Sequence, residues 1–117
     1  MGTSFVEYGE FGFWTRDKSL TSWLSDLLNE IDSLPDPEPW LDSLVEKWQI
    51  QIDIDGGCMD PNLDKFLNNN DRIKYLTSLS EKVLQNCSPD GFRTGQLFIS
   101  LLKGNLKTTV SSPIDYL

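Results

Sequence analysis

Three prolines within five residues, Pro35-Asp36-Pro37-Glu38-Pro39, set the first limit on this fold. Each removes an amide donor and restricts the residue before it, so a helix entering the run must end there. The segment ahead of it carries Leu20, Trp23, Leu24, Leu27, Leu28 and Ile31 at spacings of three and four. That periodicity predicts a helix over about 19–33 with one apolar face, and Asp26, Asn29, Glu30 and Asp32 mainly opposite. Asp17 or Ser19 can cap its free amides. Beyond the run, Pro39 suits a first helical turn, and Trp40, Leu41, Leu44, Val45 and Trp48 supply the apolar face of a second helix reaching about Glu46 or Trp48. The prolines therefore connect two helices.

After this second helix the period changes. Trp48-Gln49-Ile50-Gln51-Ile52-Asp53-Ile54-Asp55 alternates apolar and polar residues, which predicts a strand with Ile50, Ile52 and Ile54 on the core. Gln49, Gln51, Asp53 and Asp55 then face water, as in a mixed or antiparallel sheet, and Gly56-Gly57 ends the strand. At the N-terminus, Phe5, Tyr8, Phe11 and Phe13 among glycines suggest extended structure, a short hairpin or edge pair, with an irregular aromatic arm as the alternative. Downstream, Asp60-Pro61 opens a short helix to about Leu67, with Asp60 as its cap. Ile73, Leu76, Leu79, Val83 and Leu84 mark a long helix over about 71–86, and Ser88-Pro89-Asp90-Gly91 reads as a turn. Thr94 can cap a last helix through Lys103, and Lys107 to Val110 can add a strand.

These elements predict a helix-dominated α+β domain with three longer helices and a small mixed or antiparallel sheet. The 117 residues suit one domain over the whole chain, 1–117, and 38% hydrophobic content with 11% aromatics is too high for a generic disordered chain. The start lacks a basic and apolar leader pattern, and no run approaches the ~20 apolar residues that cross a bilayer, so a cytoplasmic protein is expected. Gly2 resembles an acylation start, but the Ser or Thr expected further on is absent. Cys58 and Cys87 are read as free thiols, and their spacing with no histidine argues against zinc.

Charge is the most informative global property. Residues 1–64 hold fourteen acids and three bases, a balance of −11, and residues 65–117 hold four acids and seven bases, +3, giving the net −8 of the chain. Such asymmetry repels nucleic acid and steers basic partners to the acidic side, although negative charge also serves solubility. The bases Lys65, Arg72, Lys74, Lys82, Arg93, Lys103 and Lys107 are dispersed and form no recognition helix, so direct nucleic-acid binding is not expected.

Catalysis has little raw material. Without histidine there is no imidazole base, and the phosphate-loop, dinucleotide and zinc-protease motifs are absent. Paired carboxylates remain a formal route to a small enzyme. Asp53, Asp55 and Asp64 match three positions of a calcium loop, but Gly57 and Cys58 occupy positions that need a ligand and a glycine. Neither a cofactor nor a metal is expected.

Binding is the better reading. Two acidic surfaces are candidates: Asp32, Asp36, Glu38, Asp42 and Glu46 around the proline connection, and Gln51, Asp53, Asp55 and Asp60 near the strand end, with Trp48 or Trp40 as an aromatic anchor. Tyr8, Phe11 and Trp14 can pack the helices or form a dimer contact. The profile of a short, acidic, motif-free chain resembles bacterial toxin-neutralising immunity proteins, whose cognate toxins are often basic nucleases; it transfers no individual residue. The resulting expectation is a non-enzymatic inhibitor or immunity-type protein that occludes a basic toxin such as a nuclease. A homodimeric regulatory or adaptor protein is the alternative.

Overall fold

A computed structural model describes residues 3–53 and 61–106. The chain opens with strands β1 (Thr3–Tyr8) and β2 (Phe11–Arg16), followed by helices α1 (Asp17–Asp32) and α2 (Pro39–Asp53). The short α3 (Leu63–Phe66) and the longer α4 (Asn70–Leu84) and α5 (Pro89–Leu102) complete the order. The fold is helix-dominated α+β, as the sequence predicts, with a two-stranded antiparallel sheet. It has four longer helices where three were expected, because α2 runs on through Asp53.

The aromatic opening is a hairpin. Tyr8 pairs with Phe11, Val6 with Phe13 and Phe5 with Trp14. Gly9 takes the left-handed φ of +64° and Glu10 does not, which fits a two-residue turn with glycine at its first central position. The alternation buries Ser4, Val6, Phe13 and Thr15 against the helices and leaves Phe5 and Trp14 half-buried on the other face, 5.2 Å apart between ring centroids. The turn is held by the Gly9 amide donating to Asp64 Oδ1 (2.9 Å) and by the Tyr8 hydroxyl donating to the Leu67 carbonyl (3.2 Å).

Helix α1 buries Leu20, Trp23, Leu24, Leu27, Leu28 and Ile31, the whole apolar stripe read from the sequence. Its start is held without a side-chain cap: Arg16 occupies the capping position, and Asp17 instead accepts a hydrogen bond from Ser4 Oγ. Helix α5 lies along α1 because it presents glycine there. A Cβ on Gly91 would come within 2.9 Å of the Trp23 backbone nitrogen, and one on Gly95 within 2.5 Å of the Trp23 ring. Trp23 also meets Phe98 edge-on at 5.8 Å.

Two sequence expectations are corrected here. The stretch read as a strand, Gln49 to Asp53, is the last part of α2, and its residues Ile54 and Asp55 lie outside the described residues. Trp48 and Ile52 stand four apart and share a helical face as readily as a strand face, so the alternation did not discriminate. Ile50 is the residue that loses: it is 52% exposed. The turn read at Ser88 to Gly91 is instead the opening of α5, with Pro89 in its first turn, and Thr94 is buried inside the helix. Its hydroxyl lies 2.8 Å from that of Thr15. In α3 the residue ahead of the helix is Asn62, in the left-handed conformation (φ 55°, ψ 45°). The cap expected at Asp60 and the strand expected from Lys107 to Val110 fall outside the described residues.

Candidate interaction surface

Helices α1 and α2 part where the proline run joins them, and a groove of about 270 Å³ opens between them. Leu28 and Ile31 of α1, Leu34 and Pro37 of the connection and Val45 of α2 form its apolar lining. Leu28 and Ile31 are buried, Leu34 and Val45 half-buried. The remaining lining residues are Asp32 on the α1 side and Asp42 and Glu46 on the α2 side, all three exposed. No base lines this groove.

Local sequence explains the arrangement. Asp32 is the last residue of α1, one turn beyond Leu28. The proline connection cannot donate the amides that would continue the helix, and it carries the chain round to α2. On α2, Asp42 and Glu46 are four apart and project on one flank; Asp53, a further seven residues on, returns to the same flank. Lys47, the one base of α2, falls on a different flank. From Asp32 to Asp53 the chain thus carries six carboxylates against one lysine.

The structure brings together three of the five acids expected around the connection. Asp32, Asp42 and Glu46 share the groove, and the ion pairs seen among the described residues all lie elsewhere. Asp36 is exposed on the connection and does not line the groove. Glu38 is occupied: its Oε2 accepts from Trp40 Nε1 at 2.6 Å. Trp40 in turn meets Tyr75 edge-on at 6.0 Å and lies under the Arg72 guanidinium at 5.1 Å, which fastens the start of α2 to α4. Trp40 is therefore half-buried inside its own fold.

The second expected surface is not assembled among the described residues. Trp48 offers a partner nothing: it is 0% exposed, and its indole nitrogen donates to the Pro61 carbonyl at 2.8 Å. The expected anchor is a core residue because helical geometry puts it in line with Leu41 and Leu44. Asp53 is exposed and accepts from Gln49 Nε2 at 3.1 Å, while Gln51, two residues from Gln49, points to another flank. Asp64 is engaged by the Gly9 amide. Asp55 and Asp60 lie outside the described residues.

Among the described residues, Cys87, Tyr8 and Tyr75 depart from their ordinary pKa values. Burial, reinforced by the Asp26 carboxylate, holds the Cys87 thiol above its ordinary pKa, which disfavours the nucleophilic thiolate. Burial also raises Tyr8 and Tyr75, with Asp64 and Glu38 respectively adding to the effect. No cluster of three metal-ligating side chains occurs among the described residues. No helix among them is long and apolar enough to cross a membrane.

The sequence pointed to the acids of the groove but missed its interior. Leu28, Ile31 and Val45 were indistinguishable from core residues by spacing. Leu34 gave the available signal, an apolar side chain beyond the end of α1 and directly before a proline. Compared with known proteins, the chain matches no protein-family model, and neither curated proteins nor solved structures show significant similarity to it.

Proposed function

We propose that this chain is a non-enzymatic binding protein that receives a basic protein partner on its α1–α2 face. In this reading it acts in the cytoplasm as an inhibitor or immunity-type protein, blocking a toxin such as a nuclease by electrostatic and steric occlusion. The observation that carries the reading is the groove whose rim holds Asp32, Asp42 and Glu46 without a base in its lining. Three carboxylates around one groove repel each other, whereas they attract a cationic surface and raise its association rate. An apolar interior adds contact area that becomes desolvated on binding.

The test uses the tagged chain as bait in lysate of its source organism at low salt. The expected result is one stoichiometric basic protein, released by high salt and inactive while bound. A homodimeric adaptor is the competing reading, and one observation favours it: the Phe5–Trp14 pair stays half-exposed on the outer face of the hairpin. Recovery of the chain alone, as a salt-insensitive dimer that Trp14→Ser dissociates, would replace the inhibitor reading with this one.

A further inference from the structure

We infer that the α1–α2 groove is a receptor for an arginine side chain of the basic partner. The inference rests on the binding reading above and sharpens it to one kind of residue.

An arginine is a methylene stem ending in a planar cation, and burying the stem while keeping the head hydrated or paired is its usual behaviour at apolar surfaces. The groove offers both halves of that requirement. Leu28, Ile31 and Val45 supply an apolar bed, and Asp32 of α1 with Asp42 and Glu46 of α2 line the same groove. A guanidinium presents its donors in a rigid fork that matches carboxylate geometry, and it is more weakly hydrated than an ammonium. Carboxylates on both walls therefore favour arginine over lysine, whose head is a compact, strongly hydrated charge. Size agrees: about 270 Å³ falls just below the ~300–1,000 Å³ of sites that enclose small molecules. A single inserted side chain is the better fit. The three carboxylates carry no ion pair among the described residues, so nothing in the described fold has to be displaced for the cation to enter.

The test follows the methyl resonances of Leu28, Ile31, Leu34 and Val45 in the full chain during titration with hexa-arginine and hexa-lysine peptides at low ionic strength. Hexa-arginine is expected to shift these methyls saturably, and hexa-lysine to bind at least about fivefold more weakly. D42N/E46Q should weaken hexa-arginine binding about tenfold. The charge-matched D71N/E81Q on α4 should leave it within about twofold, and the core methyls of Leu20 and Leu24 report that each variant is folded. Equal affinity for the two peptides, unmoved groove methyls, or equal losses in the two double variants would each overturn the inference. The two levels fail separately. A captured basic partner that leaves the groove methyls unmoved sinks the arginine receptor alone. Groove occupancy by hexa-arginine in a chain that inhibits no captured partner sinks the inhibitor reading alone.

Discussion

Helix α1 packs against α5, α4 and α2, and it meets α5 and α2 in opposite ways. Against α5 the seam is closed: Gly91 and Gly95 let the helices approach until the Trp23 backbone and ring fill the space. Polar groups along that side are matched too. Lys18 pairs with Asp90 at 3.8 Å, and Glu30 with Lys82 of α4 at 2.7 Å. Asp26 accepts from the Ser88 amide at 2.8 Å. Against α2 the seam is open at one end, and the acids on its rim have no such partners among the described residues. One side of a single helix is organised for folding, and the other keeps charge and apolar surface in reserve. Surface ion pairs are worth little individually, so the contrast lies less in stability than in what each side leaves available.

Small-to-large substitutions in the two seams should have unequal costs. Gly91→Ala forces its new methyl toward the Trp23 backbone, which cannot rotate away as a side chain can. A loss of about 1–3 kcal/mol is expected, despite the roughly 1 kcal/mol that alanine gains over glycine within a helix. Val45→Leu at the groove has room to extend and should change stability by less than about 0.5 kcal/mol. Chemical denaturation of both variants checks this; equal costs would mean that the α2 seam is as tightly packed as the α5 seam. Next in size, D32N/D42N/E46Q should weaken partner binding by about 1–3 kcal/mol, at up to ~1 kcal/mol for each exposed charge pair, with thermal stability unchanged or slightly raised. Isothermal titration at two salt concentrations measures it, and an unchanged Kd would remove the groove from the interface.

Among the described residues two buried side-chain atoms lack a hydrogen-bond partner, Trp23 Nε1 in the closed seam and Ser80 Oγ on α4. Ser80→Ala should therefore be neutral or stabilising by about 1 kcal/mol, since an unmatched buried hydroxyl carries a desolvation cost. A clear fall in melting temperature would show that the hydroxyl is satisfied after all. The smallest effect concerns pH. Tyr8 and Tyr75 have folded pKa values raised above the ordinary 10.0, by burial first and a neighbouring carboxylate second. Their contribution is intact below pH 10.0 and lost as pH rises through the higher folded values. Melting curves at pH 8 and above pH 10 should show an alkaline loss that Tyr8→Phe and Tyr75→Phe reduce; an identical loss in both variants would assign it to other groups.

How much of this contrast was legible in the sequence follows from what periodicity measures. The stripe from Leu20 to Ile31 repeats at three and four for three turns, and it located α1 and its buried face. The long helix after Asn70 was equally plain. Periodicity failed between Trp48 and Ile52, where a spacing of four fits either a helix or a strand and no glycine or proline falls between Trp40 and Asp53. It failed again at Ser88-Pro89-Asp90-Gly91. Those residues favour a turn locally, yet Pro89 also suits a first helical turn, and Gly91 is there because Trp23 leaves no room for a side chain. That requirement is tertiary and leaves no trace in local spacing. The groove was half legible for the same reason. Its acids stand out by charge, while its lining becomes a cavity only through the angle at which the proline connection sets α2 against α1.

The most direct test places equal charge changes on the two sides of the molecule and asks which one the partner notices. Retention of the basic partner by immobilised bait would be measured for the wild-type chain, for D32N/D42N/E46Q at the groove, and for D71N/E81Q/D90N on α4 and α5. The expected result is loss of retention in the groove triple variant alone, with the other remaining salt-sensitive and close to wild type. Equal loss in both variants would mean that net charge, not the open seam between α1 and α2, does the binding, and would contradict the assignment of that seam as the interface.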